Sequence, residues 1–148
     1  MILQLDEALL QQIRHYAEVH YPEESVGLIL GEQAGDVRRA IKLLPLANRS
    51  AAEARQRSYR IDPEAMLAAE LEAQRLGLDL LGVFHSHPDH HAEPSQHDLQ
   101  QAFPWFSYVI TSVLEGKAQE TRSWRLQQDR SRWSEERFEI HVASDPKR

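Results

Sequence analysis

The chain has no cysteine among its 148 residues. That excludes a disulfide framework, so the fold must rest on its apolar core. It also excludes structural zinc sites of the cysteine-rich kind. Any metal must be held by histidine and carboxylate, a donor set typical of catalytic sites that keep one coordination position open. Positive charge is scarce as well, with 17 basic side chains against 23 acidic ones and a net charge of −6. An acidic balance disfavours unspecific grip on DNA or RNA, which needs a positive surface field. No run of about 18 or more apolar residues occurs, so nothing reads as a membrane span. The opening segment, Met1 to Gln12, turns polar too soon to form the apolar centre of a signal peptide. The expectation is a cytoplasmic protein that works on neither nucleic acid nor membrane. Internal repeats are also lacking, and the length suits one compact domain over residues 1–148.

What is present is a sequence of short periodic segments. Asp6 reads as a helix N-cap, followed by Leu9, Leu10, Ile13, Tyr16 and Ala17 at helical spacing, with Pro22 ending the helix near His20. Val26 to Gly31 is short, apolar and bounded by glycine, as a buried strand would be. A turn at Gly35-Asp36 leads to a second strand, Val37 to Leu44. Residues 47–58 have no clear period and are expected to form a mobile surface loop or flap, with a strand at Ser58 to Ile61. Asp62-Pro63-Glu64 opens a helix that stops at Gly77. Leu78 to His87 is a strongly apolar strand with a polar end, and a short helix is expected from about Ser95 to Phe103. Phe106 to Leu114 and segments near 119–128 and 137–142 supply the last strands, with Gly116 in a turn. Strands and helices alternate without a regular βαβ rhythm, which implies an α+β fold: a mixed sheet with flanking helices.

Five of the eight histidines lie between positions 85 and 98: His85, His87, His90, His91 and His97. Side chains two apart on a strand point to the same face, so His85 and His87 can approach one ion. Pro94-Ser95-Gln96-His97-Asp98 reads as a helix start whose first turn could return the Asp98 carboxylate toward the strand end. Two histidines and a carboxylate make a zinc-binding set, with water in the fourth position. His97 would point about a quarter turn away from Asp98. His90 and His91 are expected to form a solvated turn. Taken alone, Ser95 and Asp98 match a capping box equally well, with the acid serving the helix backbone. Glu24 taken alone is an ordinary surface acid near a helix end.

Together these residues resemble the JAMM (MPN+) metalloprotease family. Its pattern is a glutamate, then H-x-H, seven residues, a serine, two residues and an aspartate. Here it is His85-Ser86-His87, Pro88 to Pro94, Ser95, Gln96-His97 and Asp98, with every gap kept. The upstream glutamate belongs in a P-x-E-x-x-G segment, and Pro22-Glu23-Glu24-Ser25-Val26-Gly27 assigns that place to Glu24 rather than Glu23. Five identities and three fixed gaps must agree, so the combined pattern is specific. The similarity to small bacterial members extends roughly to Leu126. One departure is the absence of a cysteine common just before the glycine; Ser25-Val26 stand there, and that position is not a ligand.

The resemblance implies a curved mixed sheet of the MPN/JAB, cytidine-deaminase-like kind. It further implies one catalytic zinc ion on His85, His87 and Asp98, with Glu24 carrying protons and Ser95 hydrogen-bonding the developing oxyanion. The implied substrate is an amide at or near the tail of a ubiquitin-like sulfur-carrier protein ending in Gly-Gly, entering as an extended strand. Arg49, Arg55, Arg57 and Arg60, with Glu53 the one acid among them, could meet an acidic partner or simply form a solvated face. Two rival readings belong beside this one. A metal-free MPN scaffold would be expected to lose ligand residues. A DNA-linked relative of the RadC kind would be expected to carry positive charge and a helical DNA-binding module.

Overall fold

The computed structural model describes residues 1–141, so residue 142 of the last expected strand lies outside the described residues. In chain order the elements are β1 (Ile2–Asp6), α1 (Glu7–His20), β2 (Val26–Ala34), β3 (Val37–Leu46), α2 (Pro63–Leu76), β4 (Asp79–Pro88), α3 (Gln96–Gln101), β5 (Ser107–Leu114), β6 (Lys117–Leu126) and β7 (Trp133–His141). The strands close on themselves in the order β1-β3-β2-β4-β5-β6-β7. β1 lies parallel to both β3 and β7, and β4 lies parallel to β5. The other neighbours are antiparallel. The sheet is therefore mixed and curved as expected, and goes further by having no open edge between its first and last strands. Among the described residues, no helix is long and apolar enough to cross a membrane.

The helix ends follow their local chemistry. Asp6 accepts from the Leu9 N–H at 2.8 Å and so caps α1. Asp62 accepts from the Glu64 N–H at 3.0 Å, with Pro63 at the first helical position of α2. Gly77 ends α2 at φ 68°, a left-handed conformation that costs a side-chain-bearing residue energy.

β4 is the central element for function. From Leu81 to Pro88 every residue is buried, which explains the apolar run that reaches Phe84 before the polar end begins at His85. Its alternating side chains enter two cores. Phe84 packs with Leu9 and Ile13 of α1 and with Val109 of β5. Val83 faces the other way, with Ala69 of α2, Tyr59 and Tyr108. Full burial of a side chain such as Phe84 contributes roughly 1.5–3 kcal/mol. Gly27 in β2 makes room for it, because a Cβ there would lie 2.2 Å from Phe84 Cζ. The glycine of the P-x-E-x-x-G segment is thus a packing requirement, and Gly27→Ala would force the Phe84 ring and the neighbouring β3 backbone to shift.

The structure departs from the expectations at four points. β1 carries no signal strong enough to separate it from the helix that follows; only Leu3 and Leu5 mark it, both buried. Ser58 to Ile61 is not a strand. Ser58 and Tyr59 are both buried, so the segment lacks the alternation of a half-exposed strand. The expected flap over residues 47–58 is instead tied down. It contains a single 3₁₀ turn at Ala52–Ala54, and Arg49 N–H donates to Arg60 O at 2.9 Å across its base. The last strands also begin earlier than expected, at Lys117 and Trp133.

Candidate metal centre

The polar end of β4 delivers His85 and His87 to one face, as the two-residue period requires. Their Nε2 atoms lie 3.2 Å apart. α3 begins opposite them, and its first turn brings Asp98 between the two rings. Asp98 Oδ1 lies 3.1 Å from His85 Nε2, and Oδ2 lies 3.0 Å from His87 Nε2. Glu24 arrives from the segment between α1 and β2. One donor atom from each of Glu24, His85, His87 and Asp98 falls within 4.8 Å of all the others. All four residues are buried, so Glu24 is no surface acid.

The capping and ligand readings of Asp98 turn out to be compatible. Ser95 Oγ accepts from the Asp98 N–H at 3.2 Å, while Asp98 Oδ2 accepts from the Ser95 N–H at 2.8 Å. The capping box holds the carboxylate in place, and its remaining lone pairs face the histidines.

The tautomer of His87 can be worked out. Its Nδ1 sits 2.8 Å from His91 O, and a carbonyl only accepts, so Nδ1 carries the hydrogen. In a neutral ring Nε2 then presents a lone pair to Asp98 Oδ2 and to His85 Nε2. Such a concentration of lone pairs needs a cation or an added proton between them. Burial pushes the His87 pKa down, but the Asp98 carboxylate outweighs it, and the net direction is upward. For His85 burial prevails and the pKa falls, despite Asp98. Burial alone would raise Asp98, yet the two histidines hold it well below the usual carboxylate range. Glu24 has no such support. Burial raises it to about 8, opposed in part by His87, and Asp98 adds to the rise. Among the described residues its Oε1 has no hydrogen-bond partner.

The donor set fits a divalent ion of the zinc type. A tetrahedral site with bonds of about 2.0–2.1 Å has edges of about 3.3 Å, close to the observed spacings. The neutral-imidazole tautomer of His87 and the ionised Asp98 are the forms that bind metal. His87 also has the second hydrogen bond that commonly orients a ligating histidine, whereas His85 Nδ1 is buried without a partner among the described residues. The Tyr59 ring packs against His85 instead, with centroids 4.6 Å apart.

A cleft of about 330 Å³ opens beside the cluster, lined among others by Glu24, Arg57, His87 and Ser95. Ser95 is half-buried there, and its hydroxyl hydrogen is free to point into the cleft. His90, His91 and His97 also line it, at exposed positions, and His97 is not part of the buried cluster. The four loop arginines do not act together. Arg55 donates to Ser50 O at 2.9 Å within its own loop, Arg60 borders a different cavity, and Arg57 alone of the four lines the metal cleft.

The motif did not reveal the residues that hold the site up. Ser86, between the two histidines, points the other way and accepts from the Ser25 N–H at 2.7 Å, joining the Glu24 segment to β4. Period two gives the direction of Ser86, but nothing local names Ser25 as its partner. Tyr21 donates to Asp89 at 2.7 Å, linking the same segment to the loop after His87.

Comparison with known proteins places this geometry. A Thermus thermophilus protein named "Probable TtuB-protein conjugate cleaving protease" is 36% identical over 110 residues, which is 74% of this chain and 70% of that protein. The desampylase of Haloferax volcanii is 32% identical over 107 residues, covering 72% and 74% of the two chains. The solution structure of a Desulfitobacterium hafniense protein superposes with a TM-score of 0.83 at 29% identity, covering 95% of this chain and 94% of that one. The family model for prokaryotic homologs of the JAB domain matches residues 6–127, from the cap of α1 to the end of β6, and the chain belongs to that family.

Proposed function

We propose that the chain is a zinc-dependent isopeptidase or peptidase acting at or near the C-terminal tail of a ubiquitin-like carrier protein. The observation that carries this reading is the convergence of His85 Nε2, His87 Nε2 and the Asp98 carboxylate, with an unpartnered Glu24 oxygen beside them. The names of the two relatives, one a conjugate-cleaving protease and one a desampylase, support the substrate class.

His85, His87 and Asp98 would hold the ion. Bound there, it supplies Lewis acidity that polarises an amide carbonyl and lowers the pKa of water. Glu24, raised to about 8 by burial and drawn down again by a nearby cation, sits in the range where a carboxylate both takes and returns a proton. It takes the proton from the attacking water and hands it to the leaving amine. Ser95 donates its hydroxyl hydrogen to the carbonyl oxygen as charge grows there. The hydrogen bond from His87 to His91 O keeps the imidazole in its metal-binding form throughout. The small cleft suits an extended glycine-rich tail rather than a folded domain.

The test is incubation with a Gly-Gly-tailed carrier bearing a C-terminal extension, read by intact mass. The extension should be released at the tail, chelation should stop the reaction, and zinc should restore it. Elemental analysis should find about one zinc per chain, falling sharply in His85→Ala and Asp98→Ala. Full metal occupancy in either variant would remove that residue from the ligand set, and undiminished cleavage after metal removal would sink the mechanism.

A further inference from the structure

Glu24 lies just outside the sheet. The ladder between β2 and its neighbours begins at Val26, opposite Leu46 and His85. The backbone of Glu24 therefore has no strand partner, yet the residue is buried, and buried N–H and C=O groups must be satisfied. Both are satisfied by one loop. The Glu24 N–H donates to Arg55 O at 2.7 Å. The Glu24 C=O accepts from Asn48 Nδ2 at 3.1 Å. Among the described residues the buried Oε1 has no hydrogen-bond partner, so the placement of the backbone matters the more for where the carboxyl lies.

Asn48 does more than donate once. Nδ2 also donates to Ser58 O at 3.0 Å. Its Oδ1 accepts from the N–H groups of Ser50 at 3.0 Å and Arg60 at 3.2 Å. Two donors and two acceptor lone pairs are the full capacity of the amide, and all are used. The orientation is fixed by its partners, since a flipped amide would set oxygen against two carbonyls. Asn48 thus closes the loop of residues 48–60 at its base and ties that base to Glu24. No other side chain repeats this pattern. Aspartate has the acceptors without the donors, serine is too short, and glutamine is displaced by one methylene. On the opposite side, Ser25 is held to β4 through Ser86.

We propose that Asn48 is the positioning residue of Glu24: it fixes the peptide from which the proton-carrying carboxylate is aimed at the metal site, and the 48–60 loop serves as a clamp. The inference rests on the proposed role of Glu24 as proton carrier. Its physical basis is that small displacements of a catalytic group cost large factors in rate.

The experiment compares Asn48→Ala and Asn48→Asp in the parent and in the Glu24→Gln background. Cleavage of the tailed carrier, zinc content and thermal unfolding are measured for each. In the parent background kcat should fall about tenfold to a hundredfold with KM little changed, because ground-state binding is untouched. Zinc content should stay at the parent level. In the Glu24→Gln background the same substitutions should cause almost no further loss, since residues acting as one unit are not additive. In the metal-free protein, exchange of the Glu24 amide hydrogen should speed up by about tenfold or more while β2 amides stay protected. Asn48→Asp keeps both acceptor bonds of the loop, so it guards against a simple failure of Asn48→Ala to fold. A full additional loss in the Glu24→Gln background, a loss of zinc, or unchanged Glu24 amide exchange would each overturn the proposal. The reading beneath it fails separately: if Glu24→Gln alone cleaves at the parent rate, Glu24 is not the proton carrier and the clamp falls with it. If Glu24→Gln is impaired and both Asn48 variants cleave normally, the clamp alone is wrong.

Discussion

β4 has a buried polar group at each end, and the two differ in how their hydrogen bonds are met. At its start lies Arg38 of β3. Its guanidinium donates to Gln33 Oε1 at 3.2 Å, to Leu81 O and Ser107 Oγ at 3.1 Å each, and to Trp105 O at 2.5 Å. At its end lies the histidine cluster, where lone pairs face one another and Glu24 Oε1 has no partner. A saturated buried charge is a fastener, joining β3, β4 and the start of β5. A cluster short of a cation is unfavourable on its own and is kept in a fold when something else completes it. Glu136 lies between the two cases: its Oε2 lacks a hydrogen bond, but Arg125 stands 3.8 Å away and Ser123 serves the other oxygen.

The largest effect should come from Glu24→Gln, which keeps the volume and the two backbone bonds and removes the proposed proton carrier. We expect kcat to fall by about 10² to 10⁴ with zinc retained. If this variant turned over substrate like the parent, the unsatisfied end of β4 would have no more claim to chemistry than the satisfied one. Next in size is Arg38→Met, which strips the donors from four carbonyl or hydroxyl acceptors. It should cost about 2–4 kcal/mol in chemical denaturation, with zinc content and kcat per folded molecule unchanged. Loss of zinc in Arg38→Met would mean that the two ends of β4 are not independent.

The pH dependence of stability sharpens the contrast further. In the metal-free protein Glu24 titrates near 8 rather than at its ordinary 4.5. Between those values the folded chain holds a proton that the unfolded chain has released. Stability from this group is therefore full below about pH 4.5 and is lost as pH rises through about 8. A pKa unit is worth about 1.4 kcal/mol, and with relaxation of the site the loss should amount to roughly 2–3 kcal/mol. Glutamine has no proton to lose. The stability of metal-free Glu24→Gln relative to the parent should thus grow between pH 5 and pH 9. A flat difference across that range would show that Glu24 is not desolvated.

Much of this site could be read from the sequence because its spacing is local. His85 and His87 share a face by the strand period, and Ser95 and Asp98 share a helix turn, so the three proposed ligand positions follow from fourteen consecutive residues. Glu24 was legible through the family pattern alone, since its partners are about sixty residues away. The fold was legible where caps and glycines mark boundaries, as at Asp62-Pro63 and Gly77. Closure of the sheet was not, because β1 pairs with β7, whose residues Arg137 to His141 lie at the far end of the described chain. The loop misled for a related reason. Residues 47–58 look featureless because their order comes from side-chain-to-backbone bonds centred on Asn48, and such bonds leave no periodicity to detect.

The smallest expected effect concerns the cleft mouth, where the comparison passes from buried groups to exposed ones. Arg57 lines the cleft beside Glu24, His87 and Ser95, and it is exposed. Charge there acts through solvent, so it steers and selects a substrate more than it stabilises the transition state. Arg57→Glu should raise KM for an acidic carrier by about three- to tenfold at low salt, with kcat little changed. Arg57→Ala should raise it less, and added salt should shrink both effects as the Debye length shortens. The same substitutions at Arg49, which does not line the cleft, give the control for net charge. If Arg49→Glu raised KM as much as Arg57→Glu, the cleft arginine would have no specific role and the loop's overall charge would account for the effect.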